Sequence, residues 1–158
     1  MKTMFLSIIS VYLLLSAVSL MAQGDETAEL LYAVKSGNHK KVKALVEGGA
    51  DVNVTDQNGA TPIMWAAYKN EMEIVKYLAS KKAELCPKGV IFLDKEGSLY
   101  GSLLTIAAGE NNLEMLKYFV EELKLDINRK EYNLKDSSES GWTALHWAAL
   151  RGHTPFVE

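Results

Sequence analysis

The chain has 158 residues, about the length of one domain, so two large independent cores are excluded. A hydrophobic fraction of 48% with 23% charged residues is that of a packed protein and argues against a disordered or collagen-like chain. Seventeen basic against 20 acidic residues give a formal charge of −3, leaving no basic field to gather nucleic acid by counterion release. The single cysteine, Cys86, rules out an intramolecular disulfide framework and any multi-cysteine zinc site.

Lys2 is the only charge before Asp25, and residues 4–22 form an uncharged apolar run followed by the small residues around Ala22-Gln23-Gly24. That layout predicts a signal peptide over residues 1–22, with the mature chain beginning at Gln23 or Asp25 and carrying a charge of −4. Because the run is 19 residues long, close to the roughly 20 that span a bilayer, an uncleaved membrane anchor over residues 4–22 is the rival expectation.

From Glu26 onward the sequence repeats itself. An alanine-rich step recurs as Ala33-Val34, Ala66-Ala67, Ala107-Ala108 and Ala148-Ala149, at spacings of 33, 41 and 41 residues. Four residues after the first alanine of each step stands Gly37, Asn70, Asn111 or Gly152, the residue types that most readily turn left-handed and end a helix. An apolar helical face follows: Val42 and Leu45; Ile74, Val75 and Leu78; Met115, Leu116 and Phe119; Phe156 and Val157. Ahead of three steps stands a helix start, at Thr61-Pro62, Ser102-Leu103 and Thr143-Ala144, where a hydroxyl can take a backbone N–H and a proline lacks only a donor that would be unused. Each unit is therefore expected to be two short antiparallel helices. The small alanines should let neighbouring first helices approach closely while the second helices close the back.

These residues resemble the ankyrin repeat. Gly59-Ala-Thr-Pro-Ile-Met-Trp-Ala-Ala67 and Gly141-Trp-Thr-Ala-Leu-His-Trp-Ala-Ala149 are similar to the family's Gly-x-Thr-Pro-Leu-His-x-Ala-Ala core. Gly48-Gly-Ala-Asp-Val-Asn53 looks like its closing loop, and the Asp-x-Asn part returns in Asp126-Ile-Asn128. The resemblance implies an all-α ankyrin solenoid over residues 26–158, of about four helix-turn-helix units with hairpin fingers. The units fall at about 26–55, 56–88, 89–128 and 129–158, the last incomplete. The first unit lacks the Thr-Pro start, the third carries Leu103 for proline, and only His146 keeps the histidine of the motif. Because Phe156 and Val157 match Ile74 and Val75, the natural array is expected to continue by at least one helix and the fourth unit to fray.

Each spacing of 41 carries eight residues beyond a 33-residue unit. One addition falls within Cys86 to Gly101, where Val90-Ile-Phe-Leu93 reads as a short strand; the other falls mainly within Arg129 to Gly141, a polar stretch with Tyr132 and the run Lys135 to Glu139. Two fingers are thus expected to be extended. Insertions in repeat arrays often mark a binding face, so Ile91 and Phe92 are candidate contact residues; the alternative is that they pack down on neighbouring helices. Tyr68, Lys69, Leu150 and Arg151 fall at the exposed ends of first helices, and Gln57, Asn58 and Trp142 fall at the matching hairpin positions. The resemblance implies that such positions line a concave surface used by protein partners. The alternative for Trp142 is a staple between hairpins.

Catalytic patterns are lacking. His39, His146 and His153 stand in separate units without metal-ligand spacing, and Cys86 has no patterned histidine partner. The reading is a non-enzyme without cofactor or metal, exported to the periplasm or beyond, that binds a protein partner through its concave face and fingers. Alternatives are an anchored scaffold and an enzyme using Cys86 as nucleophile. The chain is also similar in layout to bacterial signal-peptide-bearing ankyrin proteins associated with periplasmic oxidative-stress defence beside a catalase.

Overall fold

The computed structural model describes residues 28–87, 91–92, 99–130 and 141–153, with the backbone alone at 92, 99 and 100. The expectations for residues 1–22, for Tyr132 and the Lys135 to Glu139 run, and for Phe156 and Val157 lie outside these residues.

The first unit holds α1 (residues 28–35) and α2 (His39–Glu47); the second holds α3 (Pro62–Tyr68) and α4 (Met72–Ser80). A two-stranded antiparallel ribbon follows, β1 (Ile91–Phe92) pairing with β2 (Leu99–Tyr100) in the register Ile91 to Tyr100 and Phe92 to Leu99. Then come α5 (Leu103–Gly109) and α6 (Leu113–Lys117), a π-helical turn over Tyr118–Glu122, and α7 (Ala144–Leu150). Within a unit the helices pack as antiparallel pairs, α3 on α4 and α5 on α6, and the first helices stack α3 on α5 on α7. The architecture is the expected all-α ankyrin solenoid, with the first extended finger built as the β1–β2 ribbon.

The alanine steps are the seam of that stack. Ala33, Ala66, Ala67, Ala107, Ala108 and Ala148 are buried, so successive first helices meet across small side chains, while Ala149 remains exposed. From the other layer Val42, Ile74, Val75, Leu78, Met115, Leu116 and Phe119 are buried against them in one continuous core. Full burial of a side chain of this size stabilises by about 1.5–3 kcal/mol. The helix-ending residues take the left-handed conformation that their types favour, with φ of 65° at Gly37, 59° at Asn70, 56° at Asn111 and 70° at Gly152. At Gly37 the positive φ is the constraint on residue type, since a Cβ there would stand 2.5 Å from the end of the flexible Glu71 side chain, which can move aside.

Where the third unit departs from 33 residues, the surplus is divided. Sixteen positions separate Cys86 from Ser102 where eight separate Asn53 from Thr61, so the first finger holds the full eight additional residues. Only fifteen separate Asn128 from Thr143, which leaves seven for the second finger. The remaining residue is absorbed inside a helix. The Leu123 N–H reaches the Tyr118 carbonyl at 3.1 Å, and the Leu125 N–H bonds the Phe119 carbonyl at 3.0 Å where the second unit closes with Ala83 N–H on Leu78. The second addition thus falls mainly, with seven of its eight residues, between Asn128 and Thr143, as expected.

The three helix starts differ in a way set by one residue. Ser102 and Thr105 bond reciprocally: the Thr105 N–H donates to Ser102 Oγ at 3.2 Å and the Ser102 N–H donates to Thr105 Oγ1 at 3.1 Å. At Thr143 the backbone N–H donates to His146 Nδ1 at 3.2 Å. At Thr61 the third helical position is Met64, which offers no acceptor, and the buried Thr61 hydroxyl has no hydrogen-bond partner. An unpaired buried hydroxyl costs about 1–3 kcal/mol, whereas a cap that forms its bond contributes about 1 kcal/mol. Thr61→Val should therefore leave the thermal midpoint unchanged or raise it, while Ser102→Ala lowers it by about 1 kcal/mol of stability, both read by thermal denaturation.

Candidate functional site

The candidate residues distribute over two patches on the first-helix layer, one centred on the second unit and one on the fourth. The second-unit patch is organised by a residue that sequence inspection passed over, Asp56. Its Oδ1 accepts the backbone N–H groups of Asn58 and Ala60, both at 3.0 Å, and these bonds close the hairpin tip. Its Oδ2 accepts the Trp65 indole N–H at 2.8 Å and faces the Lys35 ammonium at 3.4 Å. Lys35 in turn sits 4.0 Å above the centre of the Trp65 ring. One carboxylate thus fixes the loop, the first helix of its own unit and the last turn of α1 in the unit before. Burial of Asp56 pushes its pKa up, but the Trp65 bond, the two backbone N–H groups and the Lys35 charge outweigh it, and the net shift is downward.

Trp65 passes this order along α3. Tyr68 packs edge-on against it at 5.9 Å between ring centres and is half-buried, and the Lys69 ammonium lies 5.6 Å over the Tyr68 ring. Gln57 and Asn58 are exposed on the adjoining hairpin tip. Tyr68, Lys69, Gln57 and Asn58 are therefore brought together, on a base of Lys35, Asp56 and Trp65.

The fourth-unit patch repeats part of this arrangement. Trp147, Leu150 and Arg151 stand 82 residues after Trp65, Tyr68 and Lys69, in the same places on α7. Leu150 is 63% exposed and Arg151 is exposed. Trp142, 40% exposed, lies against the rings of His146 at 5.8 Å and Trp147 at 5.5 Å, so it both faces solvent and braces its own helix start. Measured from the caps Thr61 and Thr143, it corresponds to Ala60 rather than to Gln57 or Asn58.

Ile91 is a correction. Its side chain is fully buried in the core, so it anchors the ribbon instead of presenting a surface. In a two-residue strand successive side chains face opposite ways, and the choice of inward residue depends on the pairing with β2. The side chain of Phe92 lies outside the described residues.

The remaining singled-out residues join neighbouring units. His39 Nε2 is 2.9 Å from Glu71 Oε2, Asn112 donates to Asn70 Oδ1, and His153 Nε2 is 2.9 Å from the Gly109 carbonyl, each linking one unit's helix–helix turn to the next. In the closing loops Asn53 Oδ1 accepts the Glu84 N–H at 2.7 Å, and Arg129 donates to Cys86 Sγ at 3.0 Å, which gives the thiol the loop-joining place held by Asn53 one unit earlier. Among the described residues no three His, Cys, Asp or Glu side chains gather as a metal site, and no helix is long and apolar enough to cross a membrane.

Comparison with known proteins agrees with this geometry. The family model described as Ankyrin repeats matches three times, over residues 10–89, 30–131 and 85–158. Ankyrin repeat and SAM domain-containing protein 6 of Mus musculus is 31% identical over 96 residues, which is 60% of this chain and 10% of that protein. Palmitoyltransferase ZDHHC13 of Mus musculus is 26% identical over 137 residues, 87% of this chain and 14% of that protein. Palmitoyltransferase ZDHHC17 of Rattus norvegicus is 31% identical over 90 residues, 57% of this chain and 13% of that protein. The chain therefore spans only a small part of the length of these relatives.

Asp56→Asn should test the organising carboxylate. The amide can still accept the two loop N–H groups through Oδ1 but presents a donor to Trp65 and Lys35. We expect a loss of about 1–3 kcal/mol at pH 7, on the scale of hydrogen bonds to a charged group. Since the folded pKa lies below the unfolded one, the wild-type advantage is complete above the ordinary carboxylate range and disappears as pH falls through the lowered value. Denaturation of both proteins between pH 7 and pH 2 measures the convergence.

Proposed function

The chain belongs to the ankyrin repeat family, and on that premise we propose that it is an exported, non-catalytic module that holds a protein partner along the finger side of its first helices. Ankyrin repeats generally mediate protein–protein interaction and are generally non-catalytic. The observation that carries the finer reading is the repetition of one surface pattern, an apolar residue followed by a cation at the end of α3 and of α7: Tyr68-Lys69 and Leu150-Arg151. Tyrosine, tryptophan and arginine serve well as interface anchors, and the two aromatic rings lose little side-chain entropy when covered because they turn about only two bonds. Trp142 extends the fourth-unit patch and Gln57 and Asn58 extend the second.

Export rests on the apolar run of residues 4–22 with one preceding lysine and small residues at its end. The relatives named above are eukaryotic, so periplasmic location and the oxidative-stress role rest on the leader pattern and the bacterial resemblance. The same run supports the anchored scaffold as the second reading, because its 19 residues approach a bilayer span.

Two experiments test the two halves of the proposal. Crosslinking capture of a partner from the compartment that holds the protein should weaken by tenfold or more for Tyr68→Ala combined with Leu150→Ala, about 1.4 kcal/mol or more. A lowered thermal midpoint with unchanged capture would instead make both side chains structural. Intact-mass measurement of the exported protein should give a chain beginning at Gln23 or Asp25; recovery of the full-length chain in the membrane fraction would establish the anchor.

A further inference from the structure

The second-helix layer, on the side away from the patches described above, carries a cleft of about 470 Å³ between α2 and α4. His39, Lys40, Val42 and Lys43 form one wall, and Glu73, Ile74, Lys76 and Tyr77 form the other. Val42 and Ile74 are buried and give the floor its shape, while the lysines stand exposed on both rims. In a chain of net charge −3, this lining gathers three lysines against one carboxylate.

On the same units Lys35 pairs with Asp56 and Lys41 with Glu29 at 2.7 Å, while His39, on the cleft's own wall, lies 2.9 Å from Glu71. Lys40, Lys43 and Lys76 have no carboxylate within ion-pair distance among the described residues. Two of them rest on aromatic faces, Lys43 5.7 Å from the centre of Tyr77 and Lys76 5.8 Å from that of Tyr118. The Tyr77 hydroxyl is buried without an acceptor. The lining therefore carries three lysines against the single carboxylate of Glu73, with Glu47 acting on Tyr77 from beside it.

We propose that this cleft is a second binding surface, distinct from the finger side, and that its occupant is an acidic, extended peptide segment of a partner protein. Lys40 and Lys43 stand on one wall and Lys76 on the other, so three positive groups face the cleft from two helices. Three lysines against one lining carboxylate match a segment that brings several carboxylates of its own. Glu73 within the rim opposes a uniformly charged polyanion but tolerates a peptide of mixed sequence. The apolar stems of the lysines and the Tyr77 ring offer cover to an aliphatic residue between two acids.

The test is fluorescence anisotropy of the full chain with a dye-labelled seven-residue peptide of alternating glutamate and leucine, beside the same peptide with glutamine for glutamate. The acidic peptide should bind, bind at least tenfold more weakly at high salt, and outcompete its glutamine counterpart. Lys43→Glu combined with Lys76→Glu should weaken binding tenfold or more, while Lys117→Glu combined with Lys124→Glu, the same change in net charge outside the cleft, should alter it less than twofold. Circular dichroism checks the fold of each; if the reversed pair unfolds, Lys40→Gln with Lys43→Gln supplies the comparison, with a threefold or greater loss expected. No binding of the acidic peptide, equal binding of the glutamine peptide, equal loss from both charge-reversed pairs, or anionic vesicles captured in preference to the peptide would each overturn the proposal.

Discussion

Close approach of the first helices is the constraint on which everything else depends. No unit of this chain can cover its own apolar face, so stability is shared between neighbours, and sharing requires that α3, α5 and α7 meet with little between them. The buried alanines provide that. Once the helices are this near, the turns that end them also come within hydrogen-bond reach, and the polar links at His39–Glu71, Asn70–Asn112 and Gly109–His153 follow as consequences of the seam. These links use three different chemistries at one structural place, so it is the spacing of the units that is fixed and the bonding group that varies.

The same rigidity explains how a surface of short loops can be ordered enough to serve recognition. Asp56 joins a hairpin tip to two helices from different units, so Gln57 and Asn58 are displayed from a loop whose backbone is already bonded. In the fourth unit the comparable bracing is aromatic, through Trp142 on His146 and Trp147. A binding surface supported in this way loses little freedom on association. The two layers of the solenoid also differ in chemistry: the first-helix side presents aromatic and aliphatic groups beside single cations, and the α2–α4 cleft presents lysines from both walls.

Much of the fold was legible because its determinants are local. The alanine steps, the left-handed Asn70 and Asn111 and the Ser102 cap are each read from residue type and spacing, and each stands where that reading put it. Three features were not legible, for physical reasons. A two-residue strand has no alternation from which to choose an inward side chain, so Ile91 and Phe92 could not be told apart. The Asp56 cluster draws on Lys35, 21 residues earlier, and Trp65, nine later, and only the fold brings them together; Asp56 three positions before Gly59 was the available signal of a bonded turn. The π-helical turn at Tyr118–Glu122 was invisible because counting between alanines cannot say on which side of a helix a surplus residue lies.

That turn has a wider consequence for how such an array tolerates change in chain length. An extra residue in a helix would ordinarily rotate all that follows by about 100° and carry the apolar face away from its neighbour. Here Phe119 stays buried and Leu125 closes the unit as Ala83 does in the one before, so the widened turn discards the rotation locally. The back layer and the fingers can thus accept insertions of one and of several residues while the seam keeps its phase. A single insertion into α3 or α5 has no such outlet, because there both faces of the helix are held by neighbours. Length variation is thereby channelled toward the surfaces that meet other molecules, which lets the recognition elements diversify over a scaffold whose repeat geometry stays constant.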